Sequence, residues 1–410
     1  MHGTYQQTDT VTSMPSRDSW KERLVAKFFG RLEHGVLTVE FPSGAQRTFV
    51  GRQAGLDFDD LAVLVIHDWT TITRSIQHAS IGMAEAYIDE LWSSPDLTAL
   101  LLLFERNEQA LLRGIPNTRF NWFRDRLAHL RNQNSREGSR RNISFHYDLG
   151  NEFYALWLDD SMTYSAALFE QPGMSIYYAQ QAKYRRLAEE VGIKPGDRVL
   201  EIGCGWGGFA EFAIAELGCQ VTGITLSQEQ LDFAQKKLTS AGLADKADLR
   251  LCDYRDIEGV FDHVVSIEML EAVGEQYWPQ YFDKIRSLLK PGGRAGIQVI
   301  TIDEDRYDRY RRSADFIQKY IFPGGMLPSD SVFKKQVYRA GLQLLDQRDF
   351  GQCYGKTLKN WNQQFQSKLH EVKSMGFDER FIRLWQFYLS YCEAGFRKGS
   401  VNVSHYVLGR

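Results

Sequence analysis

The feature that most constrains the fold of this 410-residue chain is an alternation of short apolar strands and helical patterns in its second half. The predicted strands are residues 198–202, 220–225, 247–251, 263–267 and 295–300. Helical patterns separate most of them, for example at residues 227–241 and 277–289. This alternation predicts an α/β domain with a doubly wound parallel sheet. We expect residues 401–408 to add a further strand at an edge of that sheet.

A glycine-rich segment follows the first of these strands. It reads EIGCGWGG at residues 201–208 and leads into a predicted helix at residues 209–217. Glycines let a ligand approach the backbone, and a helix start offers N–H groups, so a nucleotide-type ligand is expected here. A dinucleotide site would place an acidic residue about 20 positions further on. The next strand instead ends in hydroxyls and an amide, and no Walker lysine is present, so NAD is disfavoured and a P-loop is excluded.

The first part of the chain has a different pattern. Residues 35–50 predict two short strands joined by a Pro-Ser-Gly turn, and residues 61–66 predict a buried strand followed by helical stretches. The predicted organisation is a flexible N-terminus (1–20), a small α+β domain (21–130), a basic linker (131–143) and a second domain (144–410).

The region around the predicted linker is rich in arginine. From residue 119 to residue 145 the acidic residues are Asp125 and Glu137 alone. One interpretation is a solvated linker. The other is a cationic segment that meets anionic phospholipid headgroups, where each basic residue near the surface adds about 1 kcal/mol.

Composition excludes several classes of protein. The formal net charge of −3 argues against a dedicated nucleic-acid binder. The apolar runs are far shorter than the ~20 residues that span a bilayer, and the first residues lack the pattern of a secretory signal. The 5 cysteines are scattered, which favours a reducing cytoplasm, and the 9 histidines lack metal-ligand spacing, so no metal is expected.

Six motifs narrow the interpretation further. They are HYDLGNEF (146–153), MTYSAA (162–167), LEIGCGWGG (200–208), TLSQEQ (225–230), MLEAVG (269–274) and KYIFPGG (319–325). Their order resembles that in cyclopropane-fatty-acyl-phospholipid synthases, which are class I S-adenosylmethionine-dependent methyltransferases with a Rossmann-like sheet. The resemblance covers about residues 144–410. The small N-terminal domain also resembles the lipid-binding domain of bacterial members, most clearly at residues 80–87.

The resemblance implies transfer of a methyl(ene) group from S-adenosylmethionine to the cis double bond of an unsaturated phospholipid acyl chain, forming a cyclopropane. It also implies a set of cofactor contacts. These are Tyr164, Ser165, Glu201, Gly203, Gly205, Gly207, Thr225, Leu226, Ser227, Gln230, Asp253 and Tyr254.

In the family a bicarbonate ion beside the transferred methyl group acts as the base. The resemblance assigns its site to Glu271, the backbone of Ile300 and Tyr354. Two positions depart from the family pattern, because Ala166 replaces a cysteine and Gln298 replaces a histidine. A backbone contact at residue 166 survives the loss of sulfur, whereas Gln298 donates a hydrogen bond without being cationic, so weaker anion binding is expected. Glu268, three residues before Glu271, is an alternative acidic group.

Several outcomes stay open at this point. Proton loss from the transferred methyl group gives a cyclopropane, whereas a hydride shift before proton loss gives a methylene branch and, after reduction, a methyl branch. The family pattern also includes methyltransferases of small amines, and a lipid-binding protein without catalysis is a third alternative. The expected partner is a phospholipid membrane surface on the cytoplasmic side, and the bacterial relatives suggest a homodimer.

Overall fold

The structure, a computed structural model, describes residues 20–53, 61–113, 138, 149–312 and 314–410. The predicted flexible residues 1–19 and, apart from Gly138, the predicted basic linker lie outside the described residues. Trp20, which was predicted to belong to the flexible N-terminus, is instead the first residue of a helix.

The helices and strands of the described residues alternate in the second half of the chain, as predicted. The helices are α1 (Trp20–Phe29), α2 (Thr70–Ile88), α3 (Leu97–Arg106), α4 (Glu108–Leu112), α5 (Asn151–Ala155), α6 (Ile176–Val191), α7 (Gly208–Leu217), α8 (Gln228–Ser240), α9 (Trp278–Leu288), α10 (Glu304–Tyr310), α11 (Phe316–Tyr320), α12 (Asp330–Arg339), α13 (Gly351–Ser367), α14 (Leu369–Ser374) and α15 (Glu379–Lys398). The strands are β1 (Val36–Glu40), β2 (Gln46–Val50), β3 (Leu61–Ile66), β4 (Trp92–Ser93), β5 (Arg198–Ile202), β6 (Gln220–Thr225), β7 (Ala247–Leu251), β8 (Phe261–Ile267), β9 (Leu289–Ile302), β10 (Gln343–Asp349) and β11 (Val401–Gly409).

The chain divides into two compact units. The first contains the described residues before Arg124 and the segment Phe377–Lys398. Its sheet has the order β2-β1-β3-β4, with β1 antiparallel to β2 and parallel to β3. The predicted hairpin is confirmed, and its turn includes Gly44 with a φ of 80°.

The segment 377–398 differs from the predicted division, which placed it in the second domain. Its helix α15 packs against α3 and α2. The Arg383 guanidinium lies 4.0 Å from the ring centroid of Tyr87 and donates to the Tyr87 carbonyl at 2.6 Å. Thr98 donates to Glu393 at 3.3 Å. The amphipathic pattern of a helix predicts that one face is buried but not which element covers it.

The second unit carries a seven-stranded sheet with the order β10-β11-β9-β8-β5-β6-β7. The strands from β9 to β7 are parallel, which confirms the five predicted strands and the Rossmann-like fold. Strand β5 is buried at four successive positions, as expected for a central strand covered on both faces. The chain winds from β5 to one side through β6 and to the other through β8. Ligands of such sheets bind at this switch point, outside the carboxyl ends of the strands.

The C-terminal strand β11 lies inside the sheet, so the predicted edge position was wrong. It is antiparallel to both β9 and β10. Six successive residues of β11, 403–408, are buried, which is the pattern of an interior strand. The edge is β10, whose sequence QLLDQRD is polar and mostly exposed and therefore suits a strand with one unpaired side.

Two findings concern only the part of the chain that the structure describes. No helix there combines the length and the apolar character that crossing a bilayer requires. No group of His, Cys, Asp and Glu side chains there is arranged to hold a metal ion.

Candidate active site

The glycine loop lies at the switch point, between β5 and α7. Gly203, Gly205 and Gly207 have φ angles of 84°, 51° and 82°, a region that side chains other than glycine rarely adopt. The amides of Gly203 and Cys204 donate to the Ile224 carbonyl at 2.9 and 3.0 Å, which ties the loop to β6. A Cβ atom on Gly205 would meet no described atom within 4 Å. At Gly205 the loop therefore borders open space that a ligand can fill, whereas a Cβ atom on Gly203 would lie 2.8 Å from Met269 Cγ.

Glu201, in β5, is buried immediately before this loop. Burial raises the pKa of its carboxyl well above the usual range, against the opposing effects of Lys183, the Ala210 amide and Lys237. Among the described residues its Oε2 atom has no hydrogen-bond partner. A buried carboxyl oxygen in this state requires a polar partner such as a ligand hydroxyl. The open space at Gly205 and the unpaired Glu201 oxygen together fit a ribose-bearing cofactor such as S-adenosylmethionine.

The turn after β6 holds four of the predicted cofactor residues. Thr225 Oγ1 donates to Gln230 Oε1 at 2.9 Å. Ser227 caps helix α8, because its hydroxyl accepts from the Gln230 amide at 3.2 Å. Leu226 lies between them and is half-buried. These contacts hold the turn in one conformation beside the glycine loop.

Asp253 and Tyr254 follow β7 and are both buried. The Asp253 carboxylate accepts two hydrogen bonds from the Arg255 guanidinium, at 2.8 and 2.6 Å. The Tyr254 ring packs edge-on against Tyr281, with ring centroids 5.3 Å apart. Burial raises the pKa of Tyr254 to about 12, and its hydroxyl has no partner among the described residues. The predicted contact with the cofactor stays a prediction for both residues.

Ser165 is held by two side chains of helix α6 that the sequence did not indicate. Lys183 Nζ donates to the Ser165 hydroxyl at 2.6 Å, and Gln180 Nε2 donates to the Ser165 carbonyl at 2.8 Å. Both side chains are fully buried. Burial lowers the pKa of Lys183 to about 7, and the nearby carboxylates of Glu268, Asp159 and Glu201 oppose the decrease.

Aromatic rings surround Tyr164, which is itself half-buried. Its ring centroid lies 5.5 Å from Tyr154, 5.5 Å from Trp157 and 5.3 Å from Trp361. Tyr354 contacts the same Trp361 ring at 6.1 Å. This group of five rings, the aromatic cluster, adjoins Glu268 through the Tyr354 hydroxyl. Apart from its residue type, nothing in the sequence indicated that Trp361 would lie in the site.

Three predicted base-site residues converge on one carboxylate, that of Glu268. The Ala166 amide donates to Glu268 Oε1 at 2.8 Å, and Gln298 Nε2 donates to the same oxygen at 2.6 Å. The Tyr354 hydroxyl donates to Glu268 Oε2 at 2.7 Å. Burial raises the pKa of Glu268, whereas these three donors and the Lys183 ammonium oppose the increase. Because all three partners donate, the arrangement suits the ionised carboxylate.

The orientation of Gln298 is set from its other side. Gln298 Oε1 lies 3.0 Å from His405 Nε2 in the neighbouring strand β11, and both residues are fully buried. Burial lowers the pKa of His405 to about 4, so the ring is neutral. On its other side, His405 Nδ1 lies 3.4 Å from Arg186 Nε and 3.5 Å from Glu190 Oε2. The amide nitrogen of Gln298 faces Glu268 and donates to its Oε1 atom, while the amide oxygen faces His405.

Glu271 and Ile300 form a separate pair. The Ile300 amide donates to Glu271 Oε1 at 2.6 Å, whereas Glu271 Oε2 has no partner among the described residues. Burial raises the pKa of Glu271 to about 8, with a further increase from the charge of Glu268. The predicted base-site residues thus divide into two groups, and Ala166, Gln298 and Tyr354 contact Glu268 instead of Glu271.

Comparisons with known proteins identify the family of the chain. Residues 134–406 match the sequence model of a family described as mycolic acid cyclopropane synthetase. The tuberculostearic acid methyltransferase UfaA1 of Mycobacterium tuberculosis is 39% identical over 85% of this chain and 83% of its own length. The cyclopropane-fatty-acyl-phospholipid synthase of Escherichia coli is 33% identical over 82% of this chain and 85% of its own length.

A comparison with a solved structure indicates the same family. The mycolic acid cyclopropane synthase CmaA1, complexed with SAH and CTAB, aligns with a TM-score of 0.63 and 28% identity. The alignment covers 66% of this chain and 98% of that protein. The chain therefore belongs to the mycolic acid cyclopropane synthetase family and is an S-adenosylmethionine-dependent methyltransferase.

Proposed function

We propose that the protein transfers a methyl(ene) group from S-adenosylmethionine to the cis double bond of unsaturated phospholipid acyl chains and forms cyclopropane fatty acids. The observation that carries the proposal is the combination of the aromatic cluster with a carboxylate, Glu268, held by three donors. One relative is named a phospholipid synthase and another is named for tuberculostearic acid, which supports a lipid substrate.

The aromatic cluster answers the main chemical difficulty of this reaction. An isolated double bond is a poor nucleophile, so the site must align it and exclude water. When bound, the cofactor supplies an electrophilic methyl group. The glycine loop, Glu201 and the Thr225 turn are the residues that would hold it. Aromatic rings such as Tyr164 and Trp361 stabilise a positive charge on the acyl chain without reacting with it.

A base must then remove a proton from the new methyl group. The sequence pointed to Glu271 as the organiser of a bicarbonate base, with Glu268 as an alternative. Because the pKa of Glu271 is about 8, this residue holds a proton at neutral pH and is suited to donate a hydrogen bond. Glu268 is suited to accept a proton, because three donors orient its carboxylate and burial raises its pKa above the usual value.

The substrate also suggests where the enzyme works. We propose that it acts as a peripheral protein on the cytoplasmic face of the membrane, since its substrates are acyl chains of a bilayer. We also propose that it is a homodimer, as the resemblance to bacterial relatives implies. The arginine-rich sequence between residues 119 and 145 supports attraction to anionic lipids. Cosedimentation with vesicles should therefore increase with anionic lipid content, and sedimentation velocity should give twice the mass of the chain. Binding that ignores anionic lipid would favour a soluble acceptor such as an amine.

Product analysis tests the proposed reaction directly. The protein is incubated with S-adenosylmethionine and vesicles of cis-monounsaturated phospholipid, and the fatty-acid methyl esters are analysed by gas chromatography and mass spectrometry. We expect a ring product one methylene heavier than the substrate. A methyl- or methylene-branched product would establish the alternative, which stays open because one relative is named a methyltransferase and the other a synthase. Cofactor binding with no lipid product would refute the proposal.

A further inference from the structure

The three donors around Glu268 come from distant parts of the chain. Ala166 precedes α6, Gln298 lies in β9 and Tyr354 lies in α13. They are three of the positions at which the family resemblance implies an anionic base, and here all three donate to a carboxylate of the chain itself. A carboxylate offers the same pair of oxygens as bicarbonate does. Glu268 therefore lies where a free anion would otherwise bind.

The two oxygens of Glu268 are not equivalent. Oε1 accepts from both the Ala166 amide and Gln298, which uses its two lone pairs. Oε2 accepts from the Tyr354 hydroxyl alone among the described residues, so one of its lone pairs is available to a proton. As a whole residue Glu268 is half-buried, unlike the fully buried Ala166 and Gln298.

The backbone supports a specific role for this residue. Glu268 has a φ of 50°, a left-handed conformation that is unfavourable for a glutamate. Its amide donates to the Gln298 carbonyl at 2.8 Å, which holds the residue in that conformation at the end of β8. Strain of this kind persists where the surrounding structure imposes it, and it concentrates at functional sites.

We propose that Glu268 is the built-in base of the reaction and replaces bicarbonate in this enzyme. The proposal rests on the proposed function. The π electrons of the double bond form the new bond to the methyl carbon, and the electron pair of the broken C–S bond remains on sulfur. The electron pair of a methyl C–H bond then closes the ring at the cationic carbon, and the proton goes to Glu268 Oε2. Charge balances, because the carboxylate becomes a neutral acid that later releases the proton to water.

The first test uses the unaltered protein. Turnover is measured in degassed buffer free of bicarbonate and again with added sodium bicarbonate, at constant pH and ionic strength. We expect the two rates to agree within about twofold, and calorimetry with bicarbonate should detect no binding. A rate that falls severalfold without bicarbonate, or saturable bicarbonate binding, would overturn the proposal. It would leave the proposed function intact, since lipid turnover would still be observed.

A pair of substitutions gives the second test. Glu268→Gly removes the carboxylate, leaves space among the three donors and accepts the positive φ without strain. Glu268→Gln removes the basic group but keeps the volume. We expect both variants to lose about 100-fold or more in turnover. Added bicarbonate or formate should restore activity to Glu268→Gly alone, and calorimetry should show that this variant has gained bicarbonate binding.

A control separates these effects from general ones. Glu258→Gln alters an exposed glutamate on the same unit and should turn over like the unaltered protein, with no response to bicarbonate. Unchanged turnover in Glu268→Gln would refute the role of Glu268 as the base. If no lipid product forms with any variant, the proposed function fails, and bicarbonate binding to Glu268→Gly alone still decides whether Glu268 occupies the anion site.

Discussion

Two glutamates three residues apart, Glu268 and Glu271, lie in different surroundings. Glu268 accepts hydrogen bonds from three donors, whereas Glu271 accepts one from the Ile300 amide and its other oxygen has no partner among the described residues. Burial raises the pKa of both carboxyls. The donors and the Lys183 ammonium oppose this effect mainly at Glu268. The two carboxyls thus differ in their hydrogen bonds, which orient both oxygens of Glu268 and only one oxygen of Glu271.

The largest expected effect distinguishes the two glutamates directly. Glu268→Gln should lower turnover by about 100-fold or more, because it removes the proton acceptor. Glu271→Gln should lower turnover by only roughly tenfold. The loss is smaller because glutamine resembles the protonated acid that Glu271 already is. Steady-state rates of product formation measure both values. Equal losses in the two variants would contradict the separation of roles, and unchanged affinity for S-adenosylhomocysteine would show that each variant keeps the cofactor site.

An intermediate effect tests the donor on Glu268 Oε2. Tyr354→Phe removes one hydrogen bond but leaves the ring beside Trp361. We expect turnover to fall by roughly tenfold, because the carboxylate loses the group that orients it. The circular dichroism spectrum and the melting temperature of the variant report whether the fold is retained. A rate equal to that of the unaltered protein would remove Tyr354 from the mechanism.

A smaller effect tests the role of the buried ammonium. Lys183→Met removes a positive charge that lowers the pKa of Glu268. We expect the acidic limb of the profile of kcat/KM against pH to move upward by about 1 unit. Lys237→Met is the matched control, because Lys237 forms an ion pair with Glu211 at 2.8 Å and acts on Glu201. Equal shifts in the two variants would show that Lys183 has no specific effect on Glu268.

The smallest effect concerns stability. Because the folded protein raises the pKa of Glu271 from 4.5 to about 8, it binds this proton more tightly than the unfolded chain does. The resulting contribution to stability is complete below pH 4.5 and is lost as the pH rises towards 8. Glu271→Gln has no carboxyl at this position, so its stability does not decrease with pH for this reason. The melting temperature of Glu271→Gln minus that of the unaltered protein should therefore increase from pH 5 to pH 8.5. Each ~1 kcal/mol of stability that the unaltered protein loses corresponds to a shift of roughly 2 to 4 °C.

Thermal denaturation at the two pH values measures this difference. Glu258→Gln is the control, and its difference from the unaltered protein should be the same at both values. A difference for Glu271→Gln that is constant or falls with pH would contradict the assignment of Glu271 as the neutral acid.

The elements of the fold that were predicted well are those with a local signal. Strands β5, β6 and β7 begin and end where the apolar pattern does. Strand β10 was missed, because an edge strand with charged residues lacks that pattern. The place of β11 inside the sheet was also mispredicted, because its apolar residues show burial but not the identity of the neighbouring strands.

The two parts of the site, the glycine loop and the base site, were predictable to different extents. The glycine loop was predicted from its own residues, because positive φ angles and an open backbone require glycine. The base site was reached only through a family resemblance, and Glu268 was no more than an alternative. Lys183 was missed, since a lysine in an amphipathic helix usually lies on the solvent side, whereas this side chain is fully buried.

The sequence by itself determined the order of strands and helices, the position of the cofactor loop and the set of residues available for chemistry. These depend on periodicity and on backbone preferences that act over a few residues. The tertiary structure decided which carboxylate those residues serve. Ala166, Gln298 and Tyr354 are far apart in the chain and meet at Glu268 only when β8, β9 and α13 are assembled. The pKa of a carboxyl depends on the donors and charges around it, and the fold alone brings them together.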